Sequence, residues 1–320
     1  MALLDETAHG VYVISATPFT DAGEMDWAST DRLMDFYLDG GVDGMTILGV
    51  MGEAPKLSAE ESEAFVARCA KRVAGRVPII VGVSNPGMKR LGDLARRSMD
   101  LGAAGVMVSP IAGLKTEEQV YAYIESAVKE LGPKIPVVLQ DYPQLTQVFM
   151  SPALINRLFA DFPSLKMLKH EEAPGLRKLS RVRAADEDGS RNRRISILVG
   201  NGGLHLPQEL ARGADGAMTG FAFPEMLIQV CRRFAAGDKD GAEDVFDAHL
   251  PVVRYEQQPG IGLALRKETL HRRGILASAR VRAPGPVLDA ADQAELTHLL
   301  KRLERAVARF SAAPLRLAGE

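Results

Sequence analysis

The sequence predicts a closed (β/α)8 barrel followed by a helical extension. Short apolar runs alternate with helix-patterned segments eight times in roughly 230 residues, at about 30 residues per unit. Most of these runs are apolar at every position, so both faces of each strand are buried, as in a parallel sheet covered by helices. After Pro224 the pattern becomes helical only. A doubly wound open sheet is the structural alternative. It usually has fewer strands, and no Gly-x-Gly-x-x-Gly links the first strand to the first helix here. The division expected is residues 1–237 for the barrel, 238–310 for the extension and 311–320 for a frayed tail.

In order, residues 10–16 (GVYVISA) read as a strand stopped by Thr17-Pro18-Phe19, and 26–38 as a helix stopped at Gly40-Gly41. Residues 42–48 form strand two, ending in Gly49-Val50-Met51-Gly52-Glu53. Ser58 and Glu61 have the spacing of a capping box, opening a helix to about Val73. Strand three is 77–83, and helix three ends near Leu101. Strand four is 105–108, and Thr116 with Gln119 forms a second capping box. Strand five is 135–139, ending at Gln140-Asp141-Tyr142-Pro143. Ser151-Pro152 starts a helix with a capping hydroxyl and a proline at the first helical position. Strand six leads into Lys169-His170-Glu171, and a helix follows from about Gly175. Residues 185–194 (ADEDGSRNRR) read as an exposed loop, 195–199 as strand seven and 214–218 as strand eight. Helices are expected at 225–236, 241–255 and 260–273. Asp289 caps a last helix whose Leu296, Leu299, Leu300, Leu303, Val307 and Phe310 make one apolar packing stripe.

Composition excludes several classes of function. Apolar residues are 46% and charged residues 25% of the 320, with a net charge of −2. That balance offers nothing to nucleic acid or an acidic membrane. No run approaches the roughly 18 apolar residues of a membrane span, and residues 1–10 lack a signal-peptide pattern. The two cysteines, Cys69 and Cys231, fall in separate predicted helices, which fits a reducing cytoplasm and no disulfide framework. The six histidines supply no three converging zinc ligands, so neither a metal nor another cofactor is expected. There is also no Gly-x-Ser-x-Gly nucleophile elbow.

In such barrels chemistry sits at the C-terminal ends of the strands. One lysine lies there, Lys169; Lys166 has the opposite parity to it. Burial disfavours an ammonium, and a neutral amine attacks carbonyls to form an imine, so a lysine inside a ring of apolar strands is a Schiff-base candidate. The glycines of Gly49-Val50-Met51-Gly52 let backbone N–H groups approach an anion, although a plain tight turn would have the same composition.

Thr17-Pro18-Phe19, Gly49-x-x-Gly52-Glu53, the run from Pro136 to Pro143, Lys169, Gly200 and the helical C-terminus occur together in register. On these motifs the chain resembles the dihydrodipicolinate synthase/N-acetylneuraminate lyase family of class I aldolases and lyases, over about residues 8–310. The resemblance implies that Lys169 forms an imine with a 2-oxo acid such as pyruvate. It also implies that the turn after strand two holds the acid's carboxylate, and that the chain is a homo-oligomer, dimer or tetramer. The departures are as informative. The family's hydroxyl residues between the two glycines are here Val50 and Met51, and the catalytic tyrosine expected on strand five is Gln140. A second tyrosine after strand four and an arginine after the strand-five proline are also missing.

The expectation is therefore a cytoplasmic imine-forming lyase, of aldolase or dehydratase type, without classical dihydrodipicolinate synthase activity. A catalytically silent barrel that binds a small ligand or partner is the alternative. Lys169 is the expected nucleophile. Tyr142, at Gln140's parity but about 6.6 Å further along an extended strand, is the expected proton handler, ahead of Asp141, His170 and Glu171. Thr17, Gly49, Val50, Met51, Gly52, Gln140, Gly200 and Asn201 are the expected substrate contacts.

Overall fold

The computed structural model describes residues 2–189 and 191–312, with side chains omitted at 187 and 309–312. Eight parallel strands pair in sequence order and close into a barrel. They are β1 (Gly10–Ile14), β2 (Gly44–Ile47), β3 (Ile79–Gly82), β4 (Gly105–Val108), β5 (Val137–Asp141), β6 (Leu165–His170), β7 (Ser196–Val199) and β8 (Gly216–Ala217). Between them run α1 (Trp27–Gly40), α2 (Ala59–Val73), α3 (Met88–Asp100), α4 (Glu117–Leu131), the one-turn α5 (Pro143–Thr146), α6 (Pro152–Asp161), α7 (Leu176–Glu187) and α8 (Leu206–Ala211). After β8 come α9 (Pro224–Ala235), α10 (Lys239–Glu256), α11 (Gly262–Arg272) and α12 (Ala290–Ala312).

The strand alternation builds two apolar layers. Tyr12, Ile14, Ile80, Met107, Val138, Met167 and Leu198 fill the barrel interior. Val13, Met45, Val81, Val106, Leu139, Leu168 and Ile197, at the other parity, face the helices. This decides which way the polar residues at the strand ends point. Lys169 shares Met167's parity and faces inward; His170 shares Leu168's parity and faces the helical layer. A register shift between Val137 and Val138 puts Lys166 outside the paired register of β5. Its amine pairs with Glu6 at 2.9 Å, away from the strand ends.

Helix starts follow their caps. Both capping boxes form, Ser58 with Glu61 and Thr116 with Gln119. The Ser151 hydroxyl accepts from Leu154 N, and Asp289 accepts from Asp292 N. Several boundaries differ from expectation. β5 reaches Asp141 because Gln140 and Asp141 still pair with Lys169 and His170. β8 has only two residues. The charged run 185–194 is partly helical, and Arg191 is buried there because Asp186 and Asn156 satisfy its guanidinium. Of the last helix's stripe, Leu296 and Leu303 are buried and Leu299 and Leu300 half-buried, but Val307 is exposed. Phe310's side chain lies outside the described residues. Of the expected tail, residues 311 and 312 continue α12, and 313–320 also lie outside them. Cys69 and Cys231 are both free and buried. No described helix is long and apolar enough to cross a membrane.

Because Ser58 satisfies an otherwise orphaned N–H at the start of α2, Ser58→Ala should lower stability by about 1 kcal/mol. A urea midpoint shifted down at unchanged slope is the expected reading; an unchanged midpoint would show that the cap contributes nothing.

Candidate active site

The inward parity of β6 brings Lys169 to the C-terminal mouth of the barrel, where its amine lies 2.7 Å from Glu171 Oε1. Both side chains are nearly inaccessible, at 6% and 8%. Glu171 is past the end of β6, but its N–H still donates to Asp141 O at 2.9 Å, so the ladder continues one residue and turns Glu171 to Lys169's side. Gln140, the direct register partner of Lys169, donates from Nε2 to the same Glu171 oxygen at 2.6 Å. Asn201 donates from Nδ2 to the Glu171 carbonyl at 2.8 Å. Gly200 has no alternative at its position, since a Cβ there would stand 2.2 Å from Glu171 Cγ.

The turn after β2 is built with equal care. Leu48 is held at φ 54°, an unfavourable conformation for a leucine. Its carbonyl then lies where any Cβ on Gly82 would be, 2.2 Å away. Val50–Gly52 is a single 3₁₀ turn, whose first bond runs from Gly52 N to Gly49 O at 3.0 Å. The N–H groups of Val50 and Met51 precede that bond and have no partner within the turn. Thr17 is fully buried and braces the turn, its hydroxyl donating to Gly52 O at 2.6 Å. Met51 packs on the barrel interior, whereas Val50 is 41% exposed.

Glu53 closes the turn and is buried. Its Oε1 pairs with Lys267 of α11 at 2.5 Å, and its Oε2 accepts from Lys56 and Arg282 N, each at 2.9 Å. Burial pulls the Lys267 amine down to about 8, against the attraction of Glu53. Lys267 also lies 4.5 Å above the Phe19 ring.

A cavity of about 920 Å³ opens beside this turn. Gly49, Val50, Ser84, Ser109 and Gln140 line it. Lys169 is not among its lining residues; Gln140, which is, also bonds Glu171 of the Lys169–Glu171 pair. Tyr142 is half-buried at the start of α5. Burial first, and the Glu171 charge second, raise its hydroxyl above the usual range, while Arg266 acts in the opposite sense.

Asp141 and His170, the weaker proton-handling candidates, point the other way. His170 Nδ1 lies 3.3 Å from Asp141 Oδ2, and its Nε2 lies 3.1 Å from Gly175 O. Lys178 bridges Asp141 and Glu172, at 2.8 Å each. Glu209 of α8 faces the same cluster and has a buried oxygen without a partner among the described residues. The residue that sequence reasoning underweighted is Glu171. Its parity with Lys169 was the available signal, but the chain's path beyond β6 was needed to place it.

A family model described as the dihydrodipicolinate synthetase family matches residues 7–303. The chain belongs to that family. It is accordingly a lyase or dehydratase of the class I, imine-forming type. The curated L-2-keto-3-deoxyarabonate dehydratase of Azospirillum brasilense is 30% identical over 313 residues, covering 94% of this chain and 96% of that protein. A solved dihydrodipicolinate synthase from Rhodopseudomonas palustris is 48% identical, with TM-score 0.92, covering 94% of this chain and all of that one. YagE, a dihydrodipicolinic acid synthase family protein from Escherichia coli K12 solved with pyruvate, is 26% identical with TM-score 0.84, covering 92% and 98%.

Burial raises the Glu209 carboxyl to about 7, against the influence of His170. A raised acid binds a proton in the folded chain that the unfolded chain has released, so its contribution to stability is lost as pH rises from about 4.5 to 7. Glu209→Gln should match wild type near pH 4 and be more stable above pH 7, by a figure on the order of 3 kcal/mol. Denaturation curves at both pH values check this, and parallel pH profiles would contradict it.

Proposed function

We propose that Lys169 forms an imine with a 2-oxo acid and that Glu171 moves the protons of a dehydration that follows. The observation that carries this reading is the 2.7 Å Lys169–Glu171 contact inside the barrel mouth. Glu171 accepts a proton from the Lys169 ammonium, and the free amine attacks C2 of the 2-oxo acid. The protonated carboxyl returns that proton to the C2 oxygen; Glu171 then carries a second proton from the attacking nitrogen to the same oxygen, which leaves as water, and the nitrogen keeps one proton as the protonated imine. The protonated imine is then an electron sink. Glu171 takes a proton from C3, the electron pair is held as an enamine, and the C4 hydroxyl leaves as water with the proton that Glu171 returns. Hydrolysis of the imine releases the product and restores Lys169.

The remaining site residues have roles that suit this sequence. The N–H groups of Val50 and Met51 hold the carboxylate at the turn braced by Thr17 and Gly52. Gln140 carries no titratable proton, so it orients Glu171 without competing with it. Burial and the Glu171 charge keep the Tyr142 hydroxyl protonated, available as a donor to the departing oxygen. Dehydration is favoured over classical synthase activity because an amide occupies the strand-five position of the family's tyrosine and a carboxylate takes over the base's place. The dehydratase activity of the Azospirillum brasilense relative supports the same choice.

Intact mass after borohydride reduction with pyruvate and with longer 2-oxo acids tests the imine directly. Wild type should gain one reduced adduct and Lys169→Ala none. Glu171→Gln should lower turnover by about 10²–10⁴-fold while adducts still form, but more slowly than in wild type. A folded wild-type chain that traps no 2-oxo acid would refute the lyase mechanism and favour a binding barrel.

A further inference from the structure

On the β7–β8 side of the barrel mouth the strand ends supply little side chain of their own. A Cβ on Gly202 would stand 2.2 Å from Gln257 Nε2, and one on Gly220 would stand 2.0 Å from Arg266 Nη1. The C-terminal helices therefore place their own polar groups over the two glycines. Arg266, on α11, is 2% exposed. Its Nε donates to Glu256 Oε1 at 2.5 Å, and its Nη2 donates to Gly220 O. Its Nη1 is buried and has no acceptor among the described residues.

That third nitrogen is the unusual feature. A buried guanidinium N–H without an acceptor is costly to keep. It lies over Gly220, and the Cβ that Gly220 lacks would also stand 3.0 Å from Ile14 O, so the group sits where β8 and β1 end. Met218, two residues before Gly220, packs in the barrel interior, and Ile14 N still donates to Thr219 O at 2.9 Å, so Gly220 keeps the inward parity and the nitrogen over it stands on the inner side of the ring. The local charge is balanced. Both Glu256 oxygens accept, one from Arg266 and one from Ala222 N at 3.1 Å, as an ionised carboxylate does. Arg266 with Glu256, and Lys169 with Glu171, each sum to zero. The mouth thus offers a directional N–H donor without surplus positive charge, which suits a hydroxyl better than a second carboxylate.

We propose that Arg266 is a specificity-determining residue whose Nη1 donates to a hydroxyl on the carbon chain of the substrate, beyond C3. The site then selects hydroxylated monocarboxylic 2-oxo acids over unhydroxylated or dicarboxylic acids of equal length. This rests on the imine reading of Lys169 and names the substrate class for it.

The test compares initial borohydride-trapping rates, at subsaturating acid, for 2-oxo-3-deoxypentonate, 2-oxopentanoate and 2-oxoglutarate, counting substrate- and product-derived adducts together. Wild type should trap the hydroxylated acid faster than either other acid by roughly tenfold or more. Arg266→Gln combined with Glu256→Gln keeps two amides of similar size and avoids an unpaired buried carboxylate; its preference should fall to about twofold or less. Three results overturn the proposal: wild type without a preference, a preference retained in the folded double variant, or equal loss with all three acids, which marks a structural role. Absence of any adduct on wild type, pyruvate included, is a different result and refutes the Lys169 reading itself.

Discussion

The structure turns on two opposite charges placed side by side where water scarcely reaches them. Lys169 and Glu171 stand 2.7 Å apart with side chains 6% and 8% exposed. Taking an ammonium and a carboxylate out of water costs several kcal/mol for each ion, and their attraction recovers that only when geometry and further hydrogen bonds are good. The surroundings meet that condition. Gln140 donates to the carboxylate, Asn201 holds its backbone, and Gly200 leaves it room. A well-packed apolar pair would often serve stability as well or better. The polar pair therefore fits the chemistry proposed for it, in which a carboxylate alternately takes and returns the lysine's proton.

The same strand alternation that makes the pair isolates it. Successive residues of β6 face opposite sides, so Lys169 enters the barrel while His170 enters the helical layer with Asp141, Lys178 and Glu172. One wall thus carries two charged clusters, separated only by the strand. Glu209 belongs to the outer cluster, yet the Glu171 charge helps keep its proton on. The two layers are linked by electrostatics without sharing a hydrogen bond between Glu209 and Glu171 among the described residues.

How much of this is legible in the sequence depends on the physical signal. The barrel is legible because strands buried on both faces and hydroxyl caps such as Ser58 and Thr116 are local features. β8 is harder, since Gly216 passes so close to Gly10 that a Cβ would stand 1.9 Å from its carbonyl oxygen, a contact between the first and last strands that no local window contains. The one-turn α5 and six-residue α8 are too short for periodicity to declare them. Within the site, parity alone places Lys169 and Gln140. Tyr142 is a partial case: the parity argument assumes an extended chain past Asp141, whereas α5 begins at Pro143 and sets Tyr142's position instead. Glu171 needed the Asp141 carbonyl that keeps it in the ladder. Arg266 is illegible, because nothing near it in sequence announces Gly220.

The C-terminal helices extend that last point. Arg266 and Lys267 are neighbours on α11, about 100° apart around the helix, and so reach different strands. Arg266 bonds the carbonyl of Gly220 after β8, while Lys267 reaches Glu53 in the turn after β2. A single helix thereby fixes both edges of the mouth, with β1 between them. Glu53 also accepts from Arg282 N, which ties in the segment beyond α11. Both α11 cations are buried against an opposite charge, Lys267 against Glu53 and Arg266 against Glu256, so a displacement of α11 would strand charges in apolar surroundings at both ends. The helices after β8 are thus part of the frame that positions the site, because they hold the turn and the rim that an eight-stranded ring alone leaves without partners.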